Sequence, residues 1–347
     1  MKIMYVASEV APFIKTGGLG DVAGSLPKAL AAEGNEVAVF CPLYSAITPA
    51  WREKLTYLKN AYVQLGWRNQ YCGVFHYADA GVDYYFIDNE YYFARSQVYG
   101  EYDDAERFAF FSKAVLEILP DLDFKPDVIN CNDWQSALVP VYYNLMFAGR
   151  EFYQGMKTVF TIHNIAYQGR YGREILEYVL GIDDAHYRSG FMAMDGDVNL
   201  MKAAIVASNA VTTVSPTYAE EIQTPYYGHG LDPILRDCSY KLHGIINGID
   251  QDAFNPATDP LIFKNYTARS IKGKADNKTE LLALCGLEGD EDTPVIGMVS
   301  RFAGHKGFDL LEAVLDDLLQ DDIRLIVLGK GEWHYEQIGR ASCRERV

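Results

Sequence analysis

The sequence predicts an α/β protein: a parallel sheet covered by helices, followed by the opening of a second unit of the same kind. Three observations carry this. Short apolar runs alternate with helical stretches through the first 247 residues, as in βα repeats. A fresh strand, helix and strand (PVIGMVSR, FDLLEAVLDDLLQ, IRLIVLG) begins near residue 294. With 347 residues, 49% hydrophobic and 22% charged, the chain is long enough for two ordinary domains with buried cores.

The expected strands are KIMYVAS (2–8), EVAVFCP (36–42), VDYYFID (82–88), PDVINCN (126–132), KTVFTIHN (157–164), NAVTTVS (209–215) and HGIIN (243–247). Between them, ERFAFFSKAVLEIL (106–119) puts Phe110, Ala114 and Leu116 to Ile118 near one face of an amphipathic helix. Ser215 before Pro216 reads as an N-cap and first helical position. Residues 248–293 are richer in charge and turn formers and read as a connector with a helix at KTELLALCG.

Composition excludes several roles. A formal charge of -16 argues against a nucleic-acid partner, whose binding needs a basic surface. Apolar runs are too short for a membrane span, and no signal-peptide cleavage pattern follows the first strand, so a cytoplasmic location is expected. Six cysteines (41, 72, 131, 238, 285, 343) lie far apart, without paired or zinc-like spacing; they read as reduced, mostly buried thiols, and no metal site is expected.

The stretch KTGGLGDVAG (15–24) poses the main functional question. Gly18, Gly20 and Gly24 give GxGxxxG after the first strand, yet a dinucleotide cradle needs a tight turn at the strand end and an acid ending strand two. Here some eight residues intervene, and strand two ends in Cys41 and Pro42. The other reading uses Lys15: paired Gly17 and Gly18 let a ligand approach the backbone, Asp21 caps the next helix, and the helix N-terminus favours an anion. Pro27 then implies a helix that is kinked or that starts later than Asp21.

KTGGLGDVAGSLPKAL, NDWQSALVP, FTIHNIAYQG, VTTVSPTYAEEI, INGID and SRFAGHKGFDL occur in this order, and together they resemble bacterial glycogen synthases and starch synthases. The resemblance covers nearly all of residues 1–337. It implies a GT-B fold with a complete Rossmann-like N-terminal domain (1–247), the connector (248–293) and the first βαβ portion of a second Rossmann-like domain (294–337). It also implies an active site in the cleft between the domains, and transfer of glucose from ADP-glucose to the nonreducing end of an α-1,4-glucan with retention. No cofactor or metal is implied, and oligomeric state is left open.

The resemblance assigns Lys15, Gly17 and Gly18 to the sugar nucleotide, and His163 to the transferred glucose, with Asn164 and Asn247 on the donor side. Arg301 and Lys306 match a cationic pair that would stabilise charge developing on the departing phosphate. Arginine can fork onto phosphate oxygens, while lysine acts as a point charge. Asp133 falls near sugar and acceptor as a positioning residue; the pair of acids that glycosidases use is not implied. Tyr99 and Asp21 are the weaker acceptor-side candidates.

Two departures stand out. NCNDWQSA replaces a histidine-rich stretch, with Asn130 and Gln135 at the variable places, which would affect acceptor contacts. The family's second domain also continues further and carries a glutamate-bearing segment that grips the sugar. The chain is thus expected to be truncated and to have little or no activity, with Ile296, Met298, Leu325, Ile326 and Val327 incompletely covered. A noncatalytic glucan-binding fragment and a UDP-glucose-dependent GT-B enzyme are the alternative readings. The last ten residues, IGRASCRERV (338–347), back-translate to read-through of a sequencing adapter and are expected to have no evolved function.

Overall fold

A computed structural model describes residues 1–337; the arginine-rich segment 338–347, expected to be adapter-derived, lies outside the described residues. The chain divides into two compact units, Met1–Gly248 and one that begins at Ile249.

The first unit is built on β1 (Lys2–Val6), β2 (Glu36–Pro42), β3 (Thr56–Leu65), β4 (Arg68–Asp79), β5 (Val82–Asp88), β6 (Val128–Asn132) and β7 (Lys157–Ile162). Three short strands, β8 (Arg170–Tyr171), β9 (Ala193–Met194) and β10 (Asp197–Asn199), form a small antiparallel sheet, and β11 (Ala210–Thr213) and β12 (Leu242–Gly244) complete the main one. The main sheet runs β12-β11-β7-β6-β1-β2-β5-β4-β3. From β12 to β5 every pairing is parallel. The central strands are apolar on both faces, as burial under helices requires: Met4, Val6, Val39 and Phe40 are all buried.

The hairpin β3–β4 closes one edge and is antiparallel to β5. Its outer side chains, Tyr57 and Tyr62 among them, face solvent, while Val63, Leu65, Cys72 and Val74 face the core. Half of such a strand is polar, and no continuous apolar run marks it, so the sequence reading passed over it.

Helix α1 (Gly18–Ala32) corrects the expectation that Asp21 caps it and removes the alternative of a start after Asp21. It starts before Asp21 and runs through Pro27, and its N-cap position is Gly17, with no side-chain cap. Ser25 Oγ donates to the Asp21 carbonyl at 2.8 Å within this helix. Asp21 sits in the first turn, where its charge suits the helix dipole without capping a backbone N–H.

The helix expected over 106–119 spans Asp104–Glu117. It is not amphipathic in use. Arg107, Phe108, Phe110, Phe111, Ser112 and Lys113 are all buried, because the helix lies against β3 and β5 on one side and Leu138–Tyr142 on the other. Ser215 does cap Pro216–Glu221: its side chain accepts the Tyr218 N–H at 2.9 Å.

Four cysteines of the first unit, Cys41, Cys72, Cys131 and Cys238, are buried free thiols; Cys285 is exposed, and Cys343 lies outside the described residues. No helix among the described residues is long and apolar enough to cross a membrane. The described residues contain no group of three or more His, Cys, Asp and Glu placed to hold a metal ion.

The second unit contains the helix Lys272–Leu284, then β13 (Val295–Val299), the helix Phe308–Leu318 and β14 (Arg324–Leu328), with β13 and β14 parallel. Phe308 and Leu315 of the second helix are buried. Ile296, Val327 and Leu328 of the strands stay exposed, and Met298, Leu325 and Ile326 are only partly covered.

Candidate active site

In a parallel α/β sheet, ligands bind beyond the strand carboxyl ends where the strand order reverses. That point lies at β1, which has β2 on one side and β6 on the other. The chain leaving β1 carries Ser8 and Glu9, that leaving β6 carries Asp133, and that leaving β7 carries His163 and Asn164.

Asp133 joins two of these ends. Its Oδ1 accepts the backbone N–H groups of His163 at 2.8 Å and Asn164 at 3.2 Å. Its own backbone is held at φ 56°, a region that side-chain-bearing residues avoid and that tends to persist where function needs it. Burial pushes its carboxyl up to about 7, against the pull of those two N–H groups. A carboxyl so placed takes up a proton more readily than an ordinary one, and its two accepted hydrogen bonds fix the β7 loop.

The His163 ring reaches back to β6, where Nε2 lies 2.9 Å from Asn132 Oδ1. Burial lowers the imidazole to about 4, although Glu9 acts in the other direction, so the ring is neutral at working pH. Asn132 is buried and also meets Tyr5 on β1, whose hydroxyl donates to the same Oδ1 at 3.1 Å.

The loop from β1 to α1 is closed from inside. Glu9, only 3% exposed, accepts the backbone N–H groups of Thr16, in a short contact, and of Gly17 at 3.1 Å through Oε2. Lys15 Nζ pairs with Asp21 at 2.7 Å, so Asp21 belongs with the lysine of this loop. The glycines divide their roles. Gly18 faces open space, whereas a Cβ at Gly24 would lie 2.6 Å from the Ala11 carbonyl oxygen. Gly24 therefore lets α1 approach the loop, and Gly17 and Gly18 leave the backbone open to a ligand.

Tyr99 enters the same region. Its hydroxyl lies 2.7 Å from Ser8 Oγ, and burial, followed by Glu9, raises its pKa. The segment carrying it is pinned by Arg107, which is fully buried and donates to the carbonyls of Tyr92 at 2.7 Å and Val98 at 3.3 Å. Asp104 closes the charge on Arg107 in a short contact.

The structure thus brings Asp133, His163 and Asn164 together at the β6 and β7 ends, with Tyr99 on Ser8 and with Glu9, which holds the Gly17 N–H next to Lys15, beside them. Asn247 is exposed three residues beyond β12, on the same side of the parallel sheet. In the second unit, Arg301 follows β13, and Lys306 ends a helical turn just before Phe308–Leu318; both are exposed. Sequence reasoning missed Glu9, Asn132 and Tyr5. Glu9 looks like any acid after a strand, and its only signal is the seven-residue spacing to Thr16, which means nothing until the loop folds back.

An open parallel sheet whose polar loops converge at its reversal point, with a lysine and glycine loop opening a helix beside it, is the build of the N-terminal half of a GT-B glycosyltransferase. The comparisons agree. A family model described as the starch synthase catalytic domain matches residues 2–237. The chain is 50% identical over 337 residues to a glycogen synthase of Clostridium botulinum, a match covering 97% of this chain and 70% of that relative. It is 47% identical over 344 residues to the glycogen synthase of Desulforamulus reducens, covering 99% and 72%. The catalytic domain of starch synthase IV from Arabidopsis thaliana, bound to ADP and acarbose, is similar with a TM-score of 0.91 and 33% identity, over 98% of this chain and 70% of that one. The chain belongs to the starch synthase catalytic domain family, together with these bacterial glycogen synthases.

Proposed function

We propose that this chain carries the chemistry of a glycogen synthase: transfer of glucose from ADP-glucose to the nonreducing end of an α-1,4-glucan with retention. The observation that carries the reading is the meeting of Asp133 and His163 at the sheet reversal, beside the Glu9 that holds the Gly17 N–H of the Lys15 loop. In this reading Lys15, Gly17 and Gly18 receive the diphosphate, and His163, Asn164 and Asn247 contact the donor. Asp133 positions the β7 loop beneath the sugar, with Tyr99 and Asp21 at the margin of the site. Arg301 and Lys306 supply positive charge to the leaving diphosphate, Lys306 doing so next to a helix N-terminus, which adds to the same field.

The bond from glucose C1 to the phosphate oxygen breaks, and the acceptor hydroxyl attacks C1 from the same face. The hydroxyl proton passes to the departing phosphate oxygen. No protein nucleophile is required, and a buried Asp133 that accepts two backbone N–H groups is suited to holding geometry. Division into a catalytic domain (1–247), a connector (248–293) and the start of a second domain (294–337) is part of the reading, as is a cytoplasmic location.

The test is transfer of labelled glucose from ADP-glucose, and separately UDP-glucose, to glycogen. It is run on this chain and on residues 1–337 fused to the part of the C. botulinum relative that extends past the match. Transfer from ADP-glucose by the fusion, with little from this chain, is expected, since the strands β13 and β14 are left partly uncovered. A folded fusion that retains glycogen but transfers nothing would favour the noncatalytic glucan-binding reading.

A further inference from the structure

The hydrogen bonds around Asn132 determine which nitrogen of His163 carries the proton. Asn132 Nδ2 donates to the Val6 carbonyl at 3.0 Å and to Asn130 Oδ1 at 2.8 Å. A backbone carbonyl can only accept, so the amide cannot be turned round, and Oδ1 is the atom that faces Tyr5 and His163. Oδ1 has no proton to give. The His163 nitrogen 2.9 Å away must therefore be the donor, and that nitrogen is Nε2.

The orientation is fixed well beyond Asn132. Asn130 Nδ2 donates to Thr161 Oγ1 at 3.0 Å, and Thr161 meets Thr212 at 2.8 Å, so one chain of side chains crosses β1, β6, β7 and β11. Each member is held by the next, and reversing one amide would place donor against donor.

We propose that Asn132 is a positioning residue that holds His163 as the neutral Nε2–H tautomer, so that the site presents the Nδ1 lone pair to a sugar hydroxyl. Among the described residues no partner is recorded for Nδ1, and His163 is partly exposed. The consequence is directional. A ligand hydroxyl donates its proton to His163, and His163 cannot serve as an acid through Nδ1. The sugar-binding clause rests on the function proposed above; the tautomer does not.

The experiment is long-range nitrogen–proton NMR of the histidine rings in the full chain at neutral pH. His163 is assigned by its loss in His163→Gln and independently by NOEs linking its ring to Asn132 and Tyr5. The expected pattern has Nε2 protonated and Nδ1 bare, and addition of ADP-glucose shifts Nδ1 as it accepts a hydrogen bond. A protonated Nδ1, an average of both tautomers, or an imidazolium would overturn the proposal. An Nε2–H pattern that ADP-glucose leaves unmoved would retain the tautomer and remove the sugar contact.

Two variants separate positioning from bulk structure. Asn132→Leu removes the acceptor and should give averaged tautomers. Asn132→Asp keeps an acceptor, should keep Nε2–H, and should raise the titration of His163 by placing a carboxylate against it, in surroundings that already include Glu9, Asp133 and the Tyr5 hydroxyl. A titration that does not move in Asn132→Asp would show that the contact is absent.

Discussion

The backbone N–H of His163 donates to the carboxylate of Asp133 at 2.8 Å, tying the end of β7 to the end of β6. Asparagine offers the same Oδ1 acceptor without the charge. Burial raises the Asp133 carboxyl to about 7 in the fold, against a carboxylate's ordinary value of about 4. Below pH 4 the group is protonated in both states and costs nothing; as pH rises towards 7 the unfolded chain ionises first and gains stability relative to the fold; above 7 the difference is constant. Asp133→Asn should therefore match the wild type near pH 4 and become more stable by up to about 1.4 kcal/mol per pH unit between 4 and 7. Urea midpoints at pH 4.5, 6 and 8 measure this, and a pH-independent difference would remove the ionisation argument.

Glu9 is the internal ligand of the loop from 15 to 18. Glu9→Ala should leave the Thr16 and Gly17 N–H groups without their partner and cost about 1–3 kcal/mol in stability. Faster hydrogen exchange at these two amides, with protection in β6 and β7 unchanged, is the specific readout. Equal loss of protection throughout the sheet would mean that Glu9 supports the fold as a whole.

Lys15 makes a half-exposed ion pair with Asp21, of the kind worth about 0–1 kcal/mol. Lys15→Ala should leave the melting temperature nearly unchanged. If the lysine grips a diphosphate, ADP affinity should fall about 10- to 100-fold, the range for charge-assisted hydrogen bonds. Calorimetric titration with ADP decides it, and undiminished affinity would return Lys15 to the solvated surface.

Gly18 and Gly24 should respond differently to one added methyl. Gly18→Ala meets no atom within 4 Å and should be neutral or slightly stabilising, since alanine suits a helix better by about 0.5–1 kcal/mol. Gly24→Ala drives a Cβ to 2.6 Å from the Ala11 carbonyl oxygen and should cost about 1–3 kcal/mol. Thermal melts of the two variants test the division; equal effects would contradict it.

The central sheet was legible because buried parallel strands are written as apolar runs: EVAVFCP and VDYYFID match β2 and β5 residue for residue. The β3–β4 hairpin was not, since Tyr57, Lys59, Tyr62, Arg68 and Gln70 interrupt its apolar positions and only one face is covered. Pro27 suggested a start after Asp21, but a proline inside a helix is tolerated where tertiary packing holds both halves, as the burial of Ala23, Gly24 and Pro27 shows. At the site, His163 and Asp133 could be picked from their motifs. Asn132 could not, because its importance lies in what it bonds, Tyr5 at a separation of 127 residues and His163 at 31.

That separation also sets a timetable during synthesis. β1 can pair with β2 once about 34 further residues are made, from Lys2 to Glu36, but Ile3 waits 125 residues for Val128. At about 5–20 residues per second, the second edge of β1 stays open for roughly 6 to 25 s on the ribosome. Through that interval the nascent chain carries Lys15, Gly17 and Glu9 but has no Asp133, Asn132 or His163 to set beside them. β1 thus gains its second native neighbour long after its first.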